Sequence, residues 1–536
     1  MSIQKKHVSL KISISLLNTC CDEKQSLTLQ QASTVMPEII QFDTLTEQRQ
    51  AAVKPAGDPL APYVPSASKP WNEHRIAHLY NRIGFGASFQ QIKSGLLLSP
   101  EELIDQLLDT AAGIGAPVPP YWAFWTSHEY DLNPDPNLIF THRESLRRQW
   151  LSAMLDESIQ AKMALFWHNH FVTELSVFEC NAYLWEYYSL LHQHAFGNFR
   201  QFTIEVGKSG AMLTYLNGNL NIAGNPNENY ARELMELFTM GEGNGYTQQD
   251  IVEMSKALTG WQARKDVCAT PFFDPGLHDD GQKTIFDISD QFGFEAAHDI
   301  IFVERGTQVA QFICAKLYRY FLQQDIDTHV VESLAQTFID NNWELLPVIK
   351  RLLKSALFFE DELMNTQIRM PLETLNNLII SNGLKASDVP ENWLNSMFFW
   401  SSQLGQELFN PPNVSGWKGH HNWINESTLT GRWSYASSLV QLFGNNQNAR
   451  EKLRALAKEL SNNSRDPEMI TALLAEFYLR QNLEPIYLQA AVINFKANIP
   501  ENYFTDGSWN LDWDEAPFQL VNLMNYLVKL PEYQLI

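Results

Sequence analysis

The chain is poor in three things that often announce a protein's class. Cysteine is the first: only Cys20, Cys21, Cys180, Cys268 and Cys314 occur in 536 residues. Cys20 and Cys21 are adjacent rather than spaced as metal ligands. The other three stand alone, so the pattern speaks against a zinc module and predicts small core residues instead of a disulfide framework. Long apolar runs are the second: no stretch of about 18 apolar residues exists, which argues against a transmembrane helix. Positive charge is the third: 39 Lys and Arg oppose 61 Asp and Glu, a net charge of -22. Such a surface repels phosphate backbones, so nucleic acid is not an expected partner, although one site can still be locally basic.

Reaction signatures are also missing. There is no Gly-x-Ser-x-Gly elbow, no phosphate loop and no His-Glu-x-x-His. Gly84-Phe85-Gly86 lacks the third glycine and the preceding strand of a dinucleotide site. Strand-like alternation is scarce; Phe272-Phe273 and Thr284-Ile285-Phe286 outline one small hairpin around a loop.

What the chain does have is helical periodicity. Apolar positions recur at helical spacing over residues 74–83, 99–108, 141–168, 183–194, 247–258, 308–322, 329–341, 346–355, 372–382, 427–443 and 466–480. With 45% hydrophobic residues the core can be large. The expected fold is mainly α: a large multi-helix globular body with few or no strands, preceded by a disordered Pro-rich leader. Three regions follow. Residues 1–21 resemble an export or lipoprotein signal, with Lys5, Lys6 and Lys11 ahead of a short apolar stretch and a lipid anchor expected at Cys20 or Cys21. An ordinary unstructured leader is the alternative. Residues 22–71 read as a tether, since Pro55, Pro59, Pro62, Pro65 and Pro70 favour extended chain. Residues 72–536 form the helical domain, with order beginning near Trp71.

The densest segment is residues 225–241. Asn225 suits a helix cap, Pro226 the first helical position and Gly241 the stop. Tyr230, Leu234, Leu237 and Phe238 share one face, and Met235 extends apolar contact to the other side. Glu228, Arg232 and Glu236 follow one another at spacings of four, an arrangement that allows helical ion pairs. The wide apolar surface predicts that Arg232 is buried and holds these carboxylates in place. A solvated, salt-bridged face is the simpler alternative.

Several blocks together resemble the bacterial "domain of unknown function 1800" family. They are His78-Leu79-Tyr80-Asn81-Arg82-Ile83-Gly84-Phe85-Gly86, Phe166-Trp167-His168-Asn169-His170-Phe171, residues 227–238, His278-Asp279-Asp280-Gly281-Gln282-Lys283-Thr284, Pro411-Pro412-Asn413-Val414-Ser415-Gly416-Trp417 and Pro531-Glu532-Tyr533-Gln534-Leu535. Lys418, Gly419, His420 and His421 stand where the family usually has glycine-rich sequence, which makes the histidine pair a poor candidate for a shared site. The resemblance implies a mainly helical, typically exported protein, often encoded beside a phosphatase-like companion. It implies no reaction.

Within these blocks the residue types point to two functions. Neutral imidazoles and carboxylates bind divalent metals, which nominates His168, His170, Glu236, His278 and Asp279 as ligands. Glu228, Arg232, Glu233 and Lys283 are the candidate catalytic groups beside them. Such a site suits a metal-dependent hydrolase of the cell envelope. The alternative is a non-catalytic envelope protein that binds a companion protein or a surface polymer. In that case each of these residues pairs separately: His168 within the core, and Asp279 in an Asx-type turn with a solvated Lys283.

Overall fold

Local capping chemistry cuts the chain into helices. Ser99 accepts from the Glu102 N–H while the Glu102 carboxylate accepts from the Ser99 N–H at 2.9 Å, and Pro100 opens the helix Pro100–Gly113. Thr247 and Asp250 repeat the device on the helix Gln248–Ala257; the second Asp250 oxygen accepts from the Phe286 N–H at 2.7 Å, tying this helix to a hairpin. The computed structural model describes residues 58–536, which form 24 α-helices and two small hairpins. The mainly α expectation is therefore met. The expected export signal, lipid anchor and tether up to residue 57 fall outside the described residues.

Order starts earlier than Trp71. Leu60 and Tyr63 are buried, and their segment exchanges backbone hydrogen bonds with Lys354 and Ala356. Pro62 bridges Ser355, so a proline-rich stretch packs here on the helical body.

The helix expected over residues 141–168 is two helices, Leu138–Asp156 and Ser158–His168, broken at Glu157. The break lets Ser158 Oγ accept from the Phe85 N–H at 2.8 Å. Apolar spacing continues across it, which is why periodicity alone reads one helix. Two hairpins replace the expected one: Trp261–Arg264 pairs with Ala269–Phe273, and Lys283–Ile285 with Ile288–Asp290. The second turns at Phe286 and Asp287, both at positive φ, a tight-turn geometry that Asp tolerates but Phe does not advertise.

Cys180 and Cys268 form a disulfide, with Cα atoms 5.6 Å apart across a sequence separation of 88. This corrects the reading of both as isolated core thiols. The bond fastens the start of the helix Asn181–Gln193 to the turn of the first hairpin. Cys314 is the free, buried cysteine among the described residues.

The end of the chain is stitched to the segment before the helix Pro371–Ser381. Gln534 O accepts from the Arg369 N–H at 2.8 Å, and the Ile536 N–H donates to Gln367 O at 2.8 Å. That junction lies against Arg82 of the first helix, Glu73–Ile83, and forms one wall of a cavity. No helix among the described residues is long and apolar enough to cross a membrane.

Candidate functional site

Five cationic side chains, Arg82, Lys162, Lys316, Arg319 and Lys418, and a single side-chain carboxylate, Glu373, line a cavity of about 360 Å³. In a chain of net charge -22 this is a local inversion of sign. Low-dielectric walls around like charges focus their field into the space between them.

The floor is built from buried charge. Lys162, on the helix Ser158–His168, donates to Asn81 O and Gly84 O, both at 2.7 Å, and pairs with Glu373 at 2.6 Å. The other Glu373 oxygen accepts from the Met370 N–H at 2.6 Å. Burial pulls the Lys162 ammonium below the usual lysine range, and Glu373 opposes the pull. Arg82 donates to Leu322 O at 3.2 Å and Leu363 O at 2.6 Å, while its buried Nε has no hydrogen-bond partner. Burial lowers Arg82 to about 9, again opposed by Glu373.

One wall is Lys316, on the helix Gly306–Phe321. Its ammonium donates to His170 Nδ1 at 2.9 Å and to Leu237 O at 3.2 Å. His170 Nε2 contacts Phe238 O at 3.0 Å. A carbonyl only accepts, so Nε2 carries the proton and Nδ1 is the acceptor facing Lys316. Burial and then Lys316 hold His170 well below the usual histidine range. Burial and then Arg319 lower Lys316 itself to about 7.

The Leu237 and Phe238 carbonyls belong to a π-helical turn, Leu234–Thr239, which follows the short helix Asn229–Glu233. Wider winding takes carbonyls out of the ordinary helical ladder and leaves them for side chains. The 225–241 segment thus holds two cavity-lining side chains, Lys316 and His170, through backbone oxygens, where its carboxylates were expected to act.

Trp417 and Trp423 also line the cavity. Asn169 clasps the Trp417 backbone, accepting from its N–H at 2.6 Å and donating to its carbonyl at 3.1 Å. Gly416 permits this approach: its φ is +73°, and a Cβ there would lie 2.2 Å from Asn169 Oδ1. His420 hydrogen-bonds Gln324 and is lowered to about 4 by burial, then by Arg82. Arg319, Ser415 and Lys418 form the exposed rim.

The nominated metal ligands are not brought together. His168 is fully buried; the Phe409 N–H donates to its Nε2 at 3.0 Å and its Nδ1 meets the Tyr187 hydroxyl at 2.8 Å, so both nitrogens are engaged. His170 turns the other way, to Lys316 and Phe238. His278 Nδ1 lies 3.0 Å from Thr259 O. Asp279 accepts from the Gly281 N–H at 2.8 Å in an Asx-type turn, and Lys283, 1% exposed, donates to Asp279 O. The turn is as the simpler reading has it, but Lys283 is buried instead of solvated. Glu236 pairs with Arg232 at 3.2 Å. Among the described residues no group of three or more His, Cys, Asp and Glu side chains is placed to hold a metal ion. The donor set does not fit a metal centre.

Three of the four nominated catalytic residues, Glu228, Arg232 and Glu233, sit at the partly exposed side of the 225–241 segment, and the fourth, Lys283, is the buried lysine beside Asp279. Arg232, with 35% of its side chain exposed, pairs with Glu228 at 2.9 Å and with Glu236. Gln248 also donates to Glu228, at 2.8 Å. This corrects the expected burial of Arg232: the apolar face is buried, but the charged stripe remains at solvent. The helix also begins at Asn229, with Glu228 in the cap position in place of Asn225. Burial, then Glu236, raises the Glu233 carboxyl above its usual range.

The cavity instead collects residues from separate blocks: Arg82 from the first, Phe166, Asn169 and His170 from the second, Ser415 and Trp417 from the fifth, and Ile536 just past the last. Lys418 and His420 join them, although sequence had set that stretch aside. Lys162, Lys316, Arg319 and Glu373 lie outside every block. A usable signal existed for two of them. Lys162 interrupts Ala161, Met163, Ala164 and Leu165, and Lys316 sits between Ala315 and Leu317. A charge inside an apolar helical run needs a buried partner or a purpose. A second cavity, of about 670 Å³, is lined by Asp250, Glu253, Lys256 and Arg305, but its charges are committed locally, as in the Lys256–Glu253 pair at 2.8 Å.

The class these features define is a mainly helical body enclosing a cation-lined cavity. The chain belongs to the family described as "Protein of unknown function (DUF1800)", which matches residues 78–535. No curated protein and no solved structure matches it.

Proposed function

We propose that this protein is exported and takes a small anionic group, a carboxylate or a phosphate, into the cavity between Arg82, Lys316, Arg319 and Lys418. One observation carries the reading. Among the described residues none of these four cations forms an ion pair, and the single side-chain carboxylate in the wall is committed to Lys162. The partnerless Nε of Arg82 adds a buried donor. Buried donors without acceptors are costly, and an anion would offset that cost. The group's source is a free small molecule or the end of a surface polymer. The Cys180–Cys268 disulfide supports export, because such bonds persist in oxidising compartments. The hydrolytic metal reading is not adopted, since its proposed ligands are engaged elsewhere.

Calorimetric titration with inorganic phosphate, acetate and galacturonate tests the anion reading, with a neutral sugar as control. Binding should weaken about tenfold or more in an Arg319→Ala, Lys418→Ala double variant, a loss of ~1.4 kcal/mol or more. The exposed Arg264→Ala variant should bind normally. Absence of binding by all three anions at low salt, or an equal loss in Arg264→Ala, would remove the proposal. Free small anions would bind intact protein fully, whereas a polymer-end site would favour a short acidic oligosaccharide over galacturonate. Fractionation that leaves the untagged protein in the cytosol would end the export reading.

A further inference from the structure

Lys316 is placed for more than charge. Its Nζ has two protein acceptors, His170 Nδ1 at 2.9 Å and Leu237 O at 3.2 Å. Neither is anionic: one is a carbonyl, the other an imidazole whose proton is fixed on Nε2 by Phe238 O. Two acceptors match the two N–H bonds of a neutral amine and leave its lone pair uncommitted. The Phe312 ring, with its centroid 4.7 Å from Nζ, adds an apolar neighbour. Among the described residues Lys316 forms no ion pair, because Glu373, the carboxylate of the same cavity, is held by Lys162. An ordinary structural lysine would be expected to pair with a carboxylate.

We propose that Lys316 is a reactive amine that forms an imine with the carbonyl carbon of an anionic aldehyde or ketone held in the cavity. The inference rests on the anion reading above, with Arg319 and Lys418 receiving the anionic group. The Nζ lone pair attacks the carbonyl carbon and forms the C–N bond, while the carbonyl π pair moves to oxygen. That oxygen leaves as water, carrying both amine protons, as the C=N bond forms. No oxidant or reductant is consumed. His170 is a positioning residue: it orients Nζ without touching the substrate. Burial and Arg319, which lower Lys316 to about 7, keep much of the amine neutral under ordinary conditions.

The probe is pyridoxal 5′-phosphate, an anionic aldehyde, added to the folded full-length protein and trapped with borohydride. Peptide mass mapping then locates the label. Lys316 should be modified about tenfold or more faster than the exposed Lys265 and Lys385. Inorganic phosphate should slow labelling of Lys316 alone, and pyridoxal, which lacks the phosphate, should label it poorly. Lys316→Arg should abolish the fast label while leaving the slow labelling of Lys265 and Lys385 as it was. If phosphate binds by calorimetry but Lys316 is no faster than the surface lysines, the imine inference is overturned and the anion reading stands. If pyridoxal labels Lys316 as fast as its phosphate ester, the anionic part of the inference fails. If phosphate does not bind at all, both readings fail together.

Discussion

Lys162 Nζ and Glu373 Oε1 lie 2.6 Å apart beneath the cavity, with 2% and 6% of their side chains exposed. The pair joins the helix Ser158–His168 to the helix Pro371–Ser381, and Glu373 also acts electrostatically on Arg82, Arg369 and Arg432. One carboxylate therefore balances several buried cations. Glu373→Gln should destabilise the protein by about 3–5 kcal/mol, the usual result of leaving a buried charge without its partner. Urea denaturation measures this. A loss under about 1 kcal/mol would mean that water or another anion compensates Lys162.

Arg232→Ala should behave differently. Its guanidinium bridges Glu228 and Glu236 at a half-open surface, and exposed helical pairs are worth little. The expected loss is under about 1 kcal/mol, read as a nearly unchanged denaturation midpoint. A loss as large as that of Glu373→Gln would restore a structural role for the charged stripe.

These two variants mark where sequence was legible and where it was not. Helical spacing revealed the architecture, because burial of an apolar face leaves a periodic trace. Capping residues revealed helix starts such as Ser99 and Thr247. Tertiary events left no such trace. The break at Glu157 depends on Ser158 reaching Phe85, the disulfide joins cysteines 88 positions apart, and the turn at Phe286 and Asp287 puts at its first central position a phenylalanine, which does not signal positive φ. The site was legible in part. The 225–241 segment does bear on the cavity, but by holding Lys316 and His170 with Leu237 and Phe238 carbonyls that no residue type encodes. A motif rich in carboxylates drew attention to the carboxylates, whereas Lys162, Lys316 and Glu373 come from stretches without motifs.

The disulfide gives a stability prediction. Cys180→Ser removes a crosslink that closes a long loop, and the expected loss is about 2–5 kcal/mol. Reductant should lower the unfolding midpoint of the natural protein and leave that of Cys180→Ser unchanged. Non-reducing peptide mapping should recover the Cys180 and Cys268 peptides as one species. Recovery of both as free thiols from protein purified without reductant would withdraw the disulfide, and with it the support for export.

Anion affinity should depend on pH through Lys316. Burial and Arg319 bring its pKa down to about 7, whereas His420 sits at about 4 and His170 is held well below the usual histidine range. The sign follows directly. Below about 7 the Lys316 amine is protonated and attracts an anion; above it the charge is lost. Affinity should therefore be highest on the acid side and fall as pH rises through 7. Sulfate is the suitable ligand, because its own charge is constant over that range. The fall should be at most about tenfold, since Lys316 is half-buried and its charge is partly screened. Calorimetry between mildly acidic and mildly alkaline pH measures it. Lys316→Gln should give a flat profile at the weak, alkaline level, and Lys316→Arg a flat profile at the strong, acidic level. A natural protein with a flat profile would show that Lys316 does not face the bound anion.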